Sequence, residues 1–266
     1  MYRTVVVPLD PTAGADAAIA VGAVVAQQAG ATLQLLTVVP PDVDTLKPHD
    51  RLAELIEMHG IDAEALVVCA DDVALAVLDA AGTPDSLICM GTRARRSIGE
   101  LVLGSVSERV MRETRHPVLL VGSHCGSAPE RFESMVVGLD GSELAESVLP
   151  VVGDWSSQLG ITPWLFQVLA ATVPLELGGD DVHDSAYVHG IAERLARPSL
   201  EVEWDVARDR HVAGAIVRFA ASRPSSMIAL TTHGRSGLSR LALGSVALDV
   251  ARHATVPVLV VRPSDA

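Results

Sequence analysis

The chain has 266 residues, room for about two domains, each half long enough to bury its own core. Its net charge of −13 excludes general nucleic-acid binding through phosphates, which needs a basic surface. Three cysteines, Cys69, Cys89 and Cys125, lack metal-ligand and redox spacing, and the Ala-, Val- and Leu-rich, aromatic-poor composition suits helices packed on buried parallel strands.

The first half reads as strands near 4–9, 32–38, 65–69, 86–90 and 117–121, with helices near 13–29, 49–58, 72–81 and 105–115. The chain enters Val5-Val6-Val7 almost at once, so no secretion signal is expected. Cys69 and Cys89 lie inside apolar runs and read as buried thiols, which suits a reducing cytoplasm. The uncharged stretch Ala17–Pro41 contains Gln27, Gln28, Gly30, Thr32 and Gln34, and splits into a helix and a strand rather than one membrane span. Gly122–Glu133, with Gly, Ser and Pro and no apolar periodicity, reads as a linker. The domains expected are therefore 1–123 and 135–263, with 124–134 between them. The second half repeats the strands near 135–139, 163–169, 200–206, 226–230 and 257–261, with helices between. The alternation predicts an α/β fold, an open parallel sheet in each half with helices on both faces.

The two halves are copies. Residues 90–121 and 230–261 match without a gap at a spacing of 140: Met90-Gly91-Thr92 with Leu230-Thr231-Thr232, Leu103-Gly104-Ser105-Val106 with Leu243-Gly244-Ser245-Val246, and Pro117-Val118 with Pro257-Val258. Earlier matches, Val5-Val6-Val7 with Met135-Val136-Val137, Gly30 with Gly160 and Val38 with Val168, lie 130 apart. Ten residues are therefore inserted between them in the second half, and Thr172–Ala186, rich in Gly, Asp and His, reads as the loop that holds them.

Two constellations carry chemistry. Asp10-Pro11-Thr12 and Asp140-Gly141-Ser142 end the first strand of each half, where parallel sheets bind ligands. An Asp there accepts hydrogen bonds from ribose or a base amine; alternatively it is a turn Asp, with Thr12 or Ser142 capping the next helix. The loop after the fourth strand runs from Gly91 to Gly104-Ser105, and past Gly234 to Gly244-Ser245. Glycines let backbone amides approach phosphate, and the helix N-terminus adds free N–H groups. Ser105, Ser107 and Ser245 add hydroxyls. Ser105-Val106-Ser107-Glu108 also has the form of a capping box, although Leu248 replaces the Glu in the second copy. Arg93, Arg95, Arg96, Arg235 and Arg240 in these loops suit an anion or a solvated surface. No P-loop, nucleophile elbow or His-Glu-x-x-His site occurs, and the nine histidines are scattered.

These motifs, in this order and twice over, resemble the universal stress protein family. Nucleotide-binding members share Gly, two residues, Gly, nine residues, then Gly-Ser or Gly-Thr. The first half keeps Gly91 and Gly104-Ser105 but has Ala94 at the second Gly; the second keeps Gly234 and Gly244-Ser245 but has Thr231 at the first. The resemblance implies five parallel strands in the order 3-2-1-4-5 per half and ATP, with Mg2+, lying between the ends of strands one and four. By position, Pro8, Asp10, Asp140 and Gly141 border ribose and base, Val38 and Val168 lie near the adenine, and Met90-Gly91 and Leu230-Thr231 flank base and sugar. Arg93, Ala94 and Gly104-Ser105-Val106-Ser107 in one copy, and Gly234 and Gly244-Ser245-Val246 in the other, hold the phosphates. It also implies a pseudo-dimer of the two halves through their last strands, or a homodimer. The expected role is a cytoplasmic stress-response regulator with slow turnover or none and no partner nucleic acid or membrane. A nucleotide-free interaction module and an adenylyl-transferring enzyme are the rivals. The first half, with Ser107 and three loop arginines, is expected to hold phosphate more strongly.

Overall fold

The computed structural model describes residues 2–10, 16–92, 104–114, 116–169, 181–232 and 243–263, without the side chains of 181–184. The chain divides into two compact units, Met1–Arg131 and Phe132–Ala266. In the first, strands β1 (Thr4–Leu9), β2 (Thr32–Val39), β3 (Glu64–Cys69), β4 (Ser86–Gly91) and β5 (Val118–Val121) alternate with helices α1 (Asp16–Ala29), α2 (Leu46–His59), α3 (Val73–Ala80) and α4 (Ser105–Glu113). The strands pair in parallel in the order β3-β2-β1-β4-β5. β1 lies at the centre, so Val5, Val6 and Val7 are fully buried. Removing such a side chain from water contributes about 1.5–3 kcal/mol each.

The second unit repeats the plan. Strands β6 (Ser134–Leu139), β7 (Thr162–Leu169), β8 (Glu203–Arg208), β9 (Ser226–Thr231) and β10 (Val258–Val261) take the order β8-β7-β6-β9-β10, again all parallel. Its helices are α5 (Glu143–Glu146), α6 (Leu149–Leu159), α7 (Asp181–Leu195), α8 (Val212–Ala221) and α9 (Ser245–His253). One helix of the first unit becomes two here, α5 and α6. Pro150, at the start of α6, has no N–H to continue a helical ladder across the junction. Gly30 and Gly160 end the corresponding helices with φ of 63° and 64°, a left-handed value that favours glycine.

The ladders open at one end. β1 pairs with β2 through Leu9↔Thr37, but with β4 only as far as Val6↔Ile88. β6 pairs with β7 through Leu139↔Gln167, but with β9 only as far as Val137↔Ala229. In each unit the two central strands part before their carboxyl ends, where the strand order reverses.

Four expectations change. Cys69 is exposed, because β3 is the outermost strand of its unit beyond β2 and its residues are at best half-buried; Cys89 is fully buried. Residues 181–186, read as loop, are the first turns of α7, while 172–180 lie outside the described residues. β8 begins at Glu203 rather than near 200, because Leu200 instead closes a tight bridge to Arg197. Phe132, inside the stretch read as linker, is fully buried and opens the second unit.

Candidate functional site

Beyond the parted ends of β6 and β9 lies a cavity of about 370 Å3, within the range of small-molecule sites. It is lined by Asp140 after β6, Val168 on β7, Leu230 and Thr231 on β9, and Gly244, Ser245 and Val246 at the start of α9. Seven residues picked from sequence in the second half therefore meet in one cavity. Gly141 lies outside its lining.

Each wall has a local cause. Oδ1 of Asp140 accepts from the backbone N of Ser142 at 3.0 Å and from its hydroxyl at 2.6 Å. The Ser142 hydroxyl oxygen in turn accepts from Ala145 N at 3.1 Å and caps α5. The turn reading of this Asp holds: its carboxylate fixes Ser142, which caps α5. Gly141 makes the turn with φ of 83°. Pro11 takes its place in the first half and lies outside the described residues.

α5 is held beside Asp140 by α7. Glu146 accepts from the Tyr187 hydroxyl at 3.1 Å and from Arg194 at 2.9 Å. Burial, then the Glu146 and Asp140 carboxylates, push the Tyr187 phenol above its ordinary value, so it stays a neutral donor.

Leu230 reaches its place because Gly138, opposite it on β6, has no side chain; a Cβ there would collide with the Leu230 Cδ2. At the far wall, Gly244 N donates to Thr232 O at 2.6 Å, which ties the start of α9 to the end of β9. The first intrahelical bond of α9 runs from Leu248 N to Gly244 O. The N–H groups of Ser245, Val246 and Ala247 therefore lack helical acceptors and stand at the positive end of the helix dipole. No acidic residue lies in that first turn, whereas α4 carries Glu108 in its own.

In the first half, Pro8 is half-buried in β1, Asp10 is half-buried after it, and Val38 and Met90 are buried. Gly91 ends β4, and Gly104 caps α4, followed by exposed Ser105, half-buried Val106 and buried Ser107. The capping-box reading fails: Gly104 is the N-cap, Ser105 is the first helical residue, and no side chain caps α4. Gly244 stands in the same place on α9. Arg93, Ala94, Arg95 and Arg96, and Gly234, Arg235 and Arg240, lie outside the described residues. The expected advantage of the first half rests on those arginines and on Ser107, whose side chain is buried.

Gln167, Thr232, Val212 and Ile216 also line the cavity and were not picked from sequence. Thr232 was available, since it repeats Thr92 at the fixed spacing. Gln167 was a polar residue in an apolar strand, beside Val168. Val212 and Ile216, four apart on α8, carry no signal that separates a pocket wall from core.

The cavity combines an acidic turn, apolar walls and helix N–H groups, which together can meet apolar, hydroxyl and anionic groups. Among the described residues no group of three or more His, Cys, Asp or Glu could hold a metal ion, and no helix is long and apolar enough to cross a membrane.

A family model described as the universal stress protein family matches residues 1–122 and again 131–262. A universal stress protein of Mycobacterium tuberculosis is 30% identical over 67% of this chain, which spans 62% of that relative's length. One from Mycolicibacterium smegmatis is 25% identical over 97% of both chains. A crystal structure of a universal stress protein from Archaeoglobus fulgidus covers 97% of this chain and 98% of its own, with a TM-score of 0.67 at 20% identity, a likeness of fold.

Proposed function

The chain belongs to the universal stress protein family, and on that premise we propose that it binds an adenine nucleotide, ATP, as a stress-response regulator. A single observation carries the reading. The cavity of the second half joins Asp140, Val168, Leu230 and Thr231 to the N-terminus of α9. One end offers a carboxylate and apolar walls to ribose and base, and the other offers backbone N–H groups to phosphates.

The residues divide the work by chemistry. Val168 and Leu230 exclude water from the base. Asp140, already fixed through Oδ1 by Ser142, accepts from a sugar hydroxyl. The amides of Ser245, Val246 and Ala247 donate to the phosphates, and the hydroxyl of Ser245 adds a further donor. Mg2+ arrives with the phosphates rather than in a site of its own. Occupancy, rather than rapid turnover, is the regulatory quantity in this reading, and the cytoplasm is its setting.

Calorimetry with ATP on the purified chain tests it. Binding at millimolar or lower concentration is expected. No heat at millimolar ATP, with the protein shown to be folded, overturns the proposal.

A further inference from the structure

Gln167 sits on β7 directly before Val168 and pairs in register with Leu139 of β6. The residue is 6% exposed and lines the cavity. Its Oε1 is fully enclosed and, among the described residues, has no hydrogen-bond partner. A buried carbonyl oxygen left unpaired is costly, and native proteins leave few of them.

The first half shows the alternative. Thr37 occupies the same place, paired in register with Leu9, and its hydroxyl donates to Leu9 O at 3.4 Å. That position is satisfied within the protein. The second half replaces it with a longer amide on a residue that lines the cavity.

The strand order says which part of a ligand Gln167 meets. α9 follows β9, and β6 separates β9 from β7. Two strand spacings, roughly 10 Å, therefore divide the end of β9 from the end of β7. With phosphates at the N-terminus of α9, the group above β7 is the base. Phe166 stacks on Phe219 of α8 with centroids 3.9 Å apart, so alternation along the strand sends Gln167 to the opposite face, toward the α5 side where Ala145 also lines the cavity.

We propose that Gln167 is a specificity-determining residue of the second site: its Oε1 accepts a hydrogen bond from the exocyclic amino group of the bound base. The inference rests on the nucleotide reading given above. It adds a requirement that the cavity's shape does not impose, namely a base that carries an amino donor.

The test compares ATP with purine riboside triphosphate, which lacks only the amino group, on the full chain, on Gln167→Leu and on Gln167→Thr. Calorimetry gives the affinities. Intrinsic fluorescence assigns them, because Trp155, Trp164 and Trp204 all belong to the second half. The natural protein is expected to prefer ATP by about tenfold in the second site, as a site built around a buried hydrogen bond rejects the analogue lacking it. Both variants are expected to bind the two triphosphates within about twofold of each other. Leu also removes the Oε1 that has no partner among the described residues, so a loss of discrimination without a loss of thermal stability separates recognition from folding. Unchanged discrimination in folded variants that still bind ATP overturns the role of Gln167 alone. A natural protein that binds no ATP overturns the nucleotide reading, and this inference with it.

Discussion

At the scale of single residues, the cavity depends on one missing side chain. Gly138 leaves room for Leu230, which forms the apolar wall. In the first half Pro8 stands at this place, and Met90, with its adaptable thioether, stands where Leu230 does. Gly138→Ala is therefore expected to destabilise the second unit by about 1–3 kcal/mol, as overpacking does, and to weaken ATP binding by driving Leu230 into the cavity. Urea unfolding followed by tryptophan fluorescence measures the first effect. A variant as stable as the natural protein would mean that Leu230 moves aside freely. Individual residues were unevenly legible in the sequence. Asp140 and Gly244-Ser245 announced themselves through repetition and through the turn chemistry they need. Gln167 did not, because one polar residue in an apolar run has no meaning until its burial, and an Oε1 without a partner among the described residues, are known. Ser105 misled because a capping box and a Gly-capped helix start share the same letters.

At the scale of elements, α3 shows how a side chain fixes a helix start and joins two helices. Asp72 caps α3 by accepting from Leu75 N at 3.1 Å, and it pairs with Arg109 of α4 at 2.8 Å. The Leu75 N–H, followed by the Arg109 guanidinium, holds the Asp72 carboxyl below its ordinary value. The folded state therefore binds that proton more weakly than the unfolded chain. The stabilisation is full above the unfolded-state value and is lost as pH falls through the lower folded-state value. Asp72→Ala is expected to lower the urea midpoint near neutral pH, with a deficit that closes in strong acid. A deficit independent of pH would assign the effect to packing instead. Element type and order were readable from sequence because short apolar runs alternate with helical stretches in both halves. Element edges and exposure were not. The run ending in Cys69 resembles any buried strand, and its outermost position in the unit is a property of pairing that no local pattern contains.

At the scale of the whole chain, the two units share a plan but not a pocket chemistry. Thr37 corresponds to Gln167 in the duplication, Ser107 to Ala247, and Glu108 to Leu248. The acidic Glu108 in the first turn of α4 opposes anions, whereas the first turn of α9 carries no acidic residue. ATP titrated into the full chain is thus expected to give two binding steps of unequal affinity, resolved by calorimetry. One class of two equivalent sites would show that these substitutions are neutral to the ligand. The fold's duplication was legible in the sequence through the fixed spacings of 130 and 140 residues, and the inequality of the copies only in part. The missing glycines were visible, but the Gln167 Oε1, unpartnered among the described residues, required the packed structure.

The parting of β1 from β4, and of β6 from β9, has a consequence for descent. A cleft made by strands that separate is inherited with the sheet itself. Drift in the loop that follows cannot erase it. Both copies open at the same place in the sheet, while the residues beside the opening differ between them.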